Sequence, residues 1–217
     1  FRRLFAEGAF SQAFLPILAE TKAKNNDEEV QLVINHIATK LLSVLMIITL
    51  IAVLVAPLVI FIFAWGFYFK ADSSQFNLAS DMLRITFPYL LLISLTALSG
   101  SILNTYDNFT VPAFTPVLLN ISLILSAIYL SQSLDNPIMA LAWGVLIGGI
   151  VQLAFQIPFL RKIKKLPKLQ FGHHKAIDTL KKRMLPALFG VSVSQINLLV
   201  DTMIASTLIA GSVSWLY

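Results

Sequence analysis

The sequence predicts an all-α fold, a polytopic bundle of transmembrane helices, on three observations. Hydrophobic residues make up 57% of the 217 and charged residues only 12%, a balance far from that of soluble domains. Mean hydropathy is +0.80, which excludes a soluble protein built on a core of this size. Apolar stretches of about 20 residues or more, the length that crosses a bilayer, recur between short polar connections.

The first segment, 1–20, reads FRRLFAEGAFSQAFLPILAE. Helical spacing puts Arg3, Glu7, Phe10 and Phe14 on one face and Arg2, Ala6, Ala9 and Ala13 on the next. Small residues let another helix approach closely, and a charge beside them must look into a polar cavity or toward a partner. That is the geometry of a helix lining a pathway. Arginines near a membrane boundary also snorkel to the headgroups, so the residues alone leave both readings open.

TKAKNNDEE at 21–29 reads as a solvated connection. The second span is expected from about Ile37 to Tyr68, kinked at Pro57, with Trp65, Phe67 and Tyr68 as an interfacial aromatic belt. His36 and Lys40 stand at its start, the histidine suiting a headgroup or loop contact. The third span, about Leu78 to Thr105, opens with Asp81 and Arg84 at ion-pair spacing. Pro88 then interrupts its backbone bonding, and Ser94, Thr96, Ser99, Gly100 and Ser101 make its later part small and polar. A fourth span runs from about Pro112 to Ser131, where Asn120 is expected to bond to a neighbouring helix. The fifth ends near Ile163 and offers Gly144, Gly148 and Gly149 for close packing. Gln152 and Gln156 share one of its faces and suit bonds to a neighbouring helix better than a ligand. The sixth span, about Leu185 to Ala210, carries Asp201 one turn after Asn197, oxygen ligands suited to a hard monovalent cation; a protonated or hydrogen-bonded structural Asp is the other reading.

Charge sets the orientation. Residues 161–183 hold nine Lys or Arg against the single acid Asp178, which places this segment in the cytoplasm. Counting back, 21–36 and the Asp107 loop are also cytoplasmic, whereas 70–77 and 131–137 face outward. The net charge of +5 is then explained by topology and contact with anionic phospholipid, and no nucleic acid is implied. Leu166, Leu169 and Phe171 interleave with the lysines, as in a segment lying on the membrane surface. Without cysteine, neither a disulfide framework nor a thiolate metal site can form. No phosphate-cradling glycine loop and no nucleophile beside a base occurs, so neither an enzyme nor an ATP-driven pump is expected. The chain has no initiator methionine and reads as opening within one helix and closing within another, so a piece of a longer chain is expected.

FRRLFAEGAFSQAFLPIL, ITFPYLLLISL, SILNTYDNFTVPAFTPVLLNIS, ALAWGVLIGGIVQL, GVSVSQINLLVDT and GSVSWLY follow one another along the chain. In that order they resemble the MurJ/MviN family of bacterial lipid II flippases, within the wider multidrug, oligosaccharidyl-lipid and polysaccharide exporter superfamily. The resemblance implies helices two to seven of a fourteen-helix transporter, plus the start of the eighth. Residues 1–163 would form the N-lobe, 164–183 a basic cytoplasmic connection and 184–217 the start of the C-lobe. It implies a multi-pass protein of the bacterial inner membrane that carries lipid II outward by alternating access and works alongside cell-wall synthesis proteins. Arg2 and Arg3 match the family's essential arginine pair and would bind the substrate diphosphate, and Glu7 matches a glutamate of the transport cycle. Asp201 matches a sodium ligand of some members, others having Asn there, and no other cofactor is implied. A related exporter of drugs or another polyprenyl-linked sugar should lack the string FRRLFAEGAFSQAF. A scaffold that only recruits cell-wall enzymes would tolerate loss of Arg2 and Arg3.

Overall fold

The structure, a computed structural model, describes residues 9–24, 26–63 and 74–207, with side chains at all of these except 9, 74, 187–195, 206 and 207. The described residues form helices α1 (Ala9–Ala23), α2 (Asp27–Leu54), α3 (Ala56–Phe63), α4 (Ser74–Thr86), α5 (Pro88–Thr105), α6 (Thr110–Leu125), α7 (Met139–Lys162) and α8 (Lys175–Thr207). No strand occurs among them. Among the described residues four helical stretches, Asp27–Leu54, Gln75–Thr105, Thr110–Ser133 and Met139–Lys162, are long and apolar enough to cross a membrane.

Proline places the breaks. Pro57 lies in the first turn of α3 and has no N–H to continue the ladder of α2, which ends at Leu54. Pro88 opens α5 where a donor is dispensable, one residue after α4 and α5 part at Phe87. The belt residues Trp65, Phe67 and Tyr68 lie outside the described residues.

Two starts correct the reading of the sequence. Helix α2 begins at Asp27, ten residues before Ile37, because the Asn26 side chain accepts the Glu29 N–H at 3.0 Å and Asp27, Glu28 and Glu29 suit the positive end of a helix dipole. Helix α8 begins at Lys175 rather than near Leu185. Its first turns bury Ala176, Ile177 and Leu180 in the main apolar cluster. Helices α5 and α7 end in matching caps. Asn108 N–H reaches Leu103 O and Asp107 N–H reaches Asn104 O; Lys165 and Lys164 repeat the pattern on Leu160 and Arg161. Asp107 and Lys164 accordingly sit in the left-handed region at φ 61° and 59°, closing Schellman motifs with non-glycine residues.

Helix α7 is the inner post against which α5 and α6 pack. A Cβ on Gly148 would lie 2.7 Å from Leu119 of α6, and one on Gly149 2.7 Å from Tyr89 of α5, so only glycine permits this approach. Polar groups in the seam are tied across it, since lipid offers them nothing. Ser122 donates to the Gly144 carbonyl at 2.8 Å, and the amides of Gln152 and Gln156 donate to the Thr115 carbonyl and hydroxyl, both at 3.0 Å. The glutamines thus bond a neighbouring helix, as their spacing suggested. Asn120 does not: it is exposed on α6, and Ser122, half a turn further, makes the interhelical bond in its place. Asp81 and Arg84 pair at 2.9 Å on an exposed face.

The segments assigned by charge to one membrane side meet at one end of the bundle. Lys22 of α1 donates to Thr105 O at the end of α5, Lys165 after α7 reaches the Asp27 carbonyl at 3.1 Å, and Arg183 of α8 forks onto Glu20 of α1. A cysteine at exposed Phe171, at this end, should react with an impermeant thiol reagent only after spheroplasts are permeabilised. One at exposed Asn136, in the turn before α7, should react in intact spheroplasts. The opposite pattern of labelling would reverse the orientation.

Candidate functional site

Arg2, Arg3 and Glu7 lie outside the described residues, which begin at Ala9. Phe10 and Phe14, expected on the face of Arg3 and Glu7, stack at 5.4 Å and are 1% and 0% exposed in the core. Ala13 of the small-residue face is buried as well. The stripe that α1 leaves open is Gln12, Leu15, Pro16, Ala19 and Glu20. At its far end Thr21 returns its hydroxyl to Ile17 O, and Lys22 lies 4.5 Å above the Tyr106 ring.

Asp201, the other expected site residue, is exposed on α8, and so is Asn197 one turn before it. Among the described residues no group of three or more His, Cys, Asp or Glu is placed to hold a metal ion.

The most elaborate polar arrangement is the connection from α7 to α8, whose residues were read from sequence only as a basic surface segment. Residues 166–170 run in extended form along α2. Gln31 donates to Leu166 O, Asn35 accepts the Lys168 N–H and donates to Gln170 Oε1, and Thr39 accepts the Gln170 N–H at 2.8 Å. The match is geometric: four helical residues rise about 6 Å and two extended residues about 6.6 Å, so side chains at i, i+4 and i+8 meet every second residue of the strap. The chain then reverses near Gly172, whose φ of 139° suits glycine and where a Cβ would stand 3.5 Å from His36 Nε2. His174 returns to stack on His36 at 5.2 Å and to meet Glu29 at 3.2 Å, and His173 pairs with Asp178 at 2.8 Å. His36 is thus a loop contact, with Nδ1 2.9 Å from Leu32 O.

Lys165 anchors the near end of the strap. Its ammonium is buried and pairs with the Asp27 carboxylate beneath the Tyr106 ring. Burial pushes the Tyr106 phenol above its ordinary range, only partly opposed by Lys165, so it stays neutral and offers the two lysines a π-face. Leu166 packs against the core, whereas Leu169 and Phe171 are 69% and 78% exposed and keep the surface character expected of them. The polar residues Gln31, Asn35 and Thr39, spaced four apart on one face of α2, were the available sign of this contact. Its partner is more than 130 residues away, and no local pattern announces it.

The family model described as lipid II flippase MurJ matches residues 1–217. The chain is 45% identical over 222 residues to the probable lipid II flippase MurJ of Haemophilus influenzae, covering 100% of this chain and 44% of that protein. It is 47% identical to that of Vibrio cholerae over 222 residues, 42% of the relative's length. The lipid II flippase MurJ of Burkholderia cenocepacia is 41% identical over 99% of this chain and 42% of its own. Among solved structures, lipid II flippase MurJ in an inward closed conformation superposes with a TM-score of 0.77 and 30% identity, over 99% of this chain and 43% of that one. The chain thus spans less than half the length of the relatives it matches.

Asn35 is the rung with the most bonds, so Asn35→Leu should release the strap while leaving the apolar seams alone. Each of these half-buried hydrogen bonds contributes about 0.5–1.5 kcal/mol. Trypsin cleavage at Lys164 and Lys168 in the full-length protein should therefore accelerate on the order of tenfold, following the open population. Cleavage at the wild-type rate would mean that the ladder does not hold the strap.

Proposed function

The chain belongs to the lipid II flippase MurJ family, and from that premise we propose that it is the first-lobe portion of a transporter that moves lipid II across the bacterial inner membrane. What carries this reading is the match over all 217 residues to a family of that description, supported by the likeness to a flippase structure at 30% identity. On this reading residues 1–163 belong to the N-lobe, 164–183 to the connection and 184–217 to the C-lobe, and alternating access moves the headgroup outward.

Arg2 and Arg3 are proposed to grip the diphosphate. A guanidinium presents a planar fork that matches two phosphate oxygens, whereas an ammonium is a point charge. Glu7 is proposed, on its match to the family motif, to act in the transport cycle. The basic surface from Arg161 to Arg183 is proposed to face anionic phospholipid, which agrees with the exposure of Arg161, Lys162, Lys164, Lys168 and Lys175. Asp201 is proposed as a sodium ligand, with the remaining ligands supplied by helices beyond this chain. Cell-wall synthesis proteins are the proposed neighbours, and no chemical step is assigned to any residue.

In the full-length protein, Arg2→Ala and Arg3→Ala should each abolish complementation of a depleted strain while inserting normally, and Arg→Lys should rescue in part. Unimpaired growth with both alanines would remove substrate binding from these residues. For Asp201, sodium should shift a cross-link across the cavity mouth in wild type, less in Asp201→Asn and least in Asp201→Leu. Equal shifts in all three would leave it a structural acid.

A further inference from the structure

Beneath the strap lies a cavity of about 200 Å³ between α2, α5 and α7, and Leu166, Pro167, Lys168 and Leu169 of the strap form its remaining wall. The described lining is apolar apart from Thr39, Ser99 and Lys168, and the Thr39 hydroxyl already accepts the Gln170 N–H. A buried water needs about two to four polar partners, so the space suits hydrocarbon better than water. Leu42, Leu95, Leu153 and Ile157 each keep part of their surface open, and all three helices belong to stretches that can cross a membrane.

The depth of the cavity matches one leaflet. From Lys162 at the end of α7 back to Leu153, and from Thr105 at the end of α5 back to Leu95, the helices rise about 14 and 15 Å at 1.5 Å per residue. Half of a hydrocarbon core of roughly 30 Å is the same distance. Charge gathers at the shallow end only. Lys168 belongs both to the lining and to the exposed surface, and exposed Arg161 and Lys164 stand where the chain leaves α7 for the strap. Among the described residues none of these three is paired with an acid, whereas Lys165 is taken by Asp27, and Asp178, the one acid of residues 161–183, meets His173 at 2.8 Å.

We propose that this cavity is a binding site for one anionic glycerophospholipid of the cytoplasmic leaflet, an acyl chain lying between α2, α5 and α7 and the phosphate meeting Lys168. A lysine carries its charge on a flexible apolar stem, which suits it to reach from the strap to the headgroup level. Basic pockets between membrane helices on the cytoplasmic side hold anionic headgroups elsewhere. The bound chain fills the space under the strap and joins it to α5 and α7, adding to the ladder that ties it to α2. This deepens the reading that the basic end faces anionic phospholipid and does not rest on lipid II transport.

The test uses the full-length protein in detergent with phosphatidylglycerol that carries a photoreactive diazirine midway along one acyl chain. Labelling of the peptides that hold Leu95 and Leu153 is read by mass spectrometry while unlabelled phosphatidylglycerol or phosphatidylcholine competes. Phosphatidylglycerol should displace the probe at concentrations at least tenfold below those of phosphatidylcholine. Leu42→Trp, which fills the cavity and leaves every charge in place, should abolish the labelling. Lys168→Gln, which leaves the cavity open, should shrink the preference for phosphatidylglycerol about fivefold. Undiminished labelling in a folded Leu42→Trp protein would overturn the site and leave the anionic surface standing. If the tryptophan variant does not fold, an unchanged preference in Lys168→Gln overturns the assignment instead. Equal displacement by both lipids in wild type would remove the site and the anionic-surface reading together.

Discussion

Lipid tails offer no partner to a polar group, and the packing of α5, α6 and α7 follows from that constraint. Most hydroxyls satisfy it locally: Ser94, Thr96, Ser101, Thr105 and Thr115 all return a proton to a carbonyl of the preceding turn. Longer polar side chains cannot do this and must reach across. Gln152, Gln156 and Ser122 do so only because glycines at 144, 148 and 149 bring the helices close enough. Close approach and polar satisfaction are one requirement here. A side chain on Gly148 would push Leu119 away, and with it the α6 backbone that Thr115 and Ser122 share.

The same accounting governs the other end of the bundle with different means. There the backbone of residues 166–170 has no helix or sheet of its own, and α2 supplies the missing partners through Gln31, Asn35 and Thr39. The strap is thereby fixed to α2 by several semi-buried bonds. The Glu20–Arg183 fork between α1 and α8 is 61% and 37% exposed and contributes at most about 1 kcal/mol. Apolar burial of Ala176, Ile177 and Leu180 outweighs it in holding the start of α8, since each buried aliphatic side chain is worth about 1–3 kcal/mol.

Much of this was legible in the sequence. Hydropathy delimited the spans, Pro57 and Pro88 marked the breaks, the glycines marked the seam, and the charge count grouped the segments that the fold gathers at one end. Boundaries were harder. The polar run NNDEE looked like a connection, but an Asn cap and three acids also describe a helix start, and the fold takes that second option. At α8 the lysines hid a buried face of Ala176, Ile177 and Leu180. Asn120 failed as a guide because polarity alone does not say which way a side chain points, and its position on α6 turns away from α7. The strap could not be read because its partners are joined only by the tertiary fold. Of the site residues, Asp201 is exposed on α8, while Arg2, Arg3 and Glu7 rest on their match to the family motif.

The central claim is that the protein containing this bundle delivers lipid II to the outer face of the membrane. It is tested most directly by depleting that protein in a bacterial host and measuring lipid II exposed on the outer face before growth fails. Exposure should fall while total lipid II persists or rises, and re-expression of the full-length protein should restore it. Outer-face lipid II that stays at its initial level throughout depletion would contradict the account.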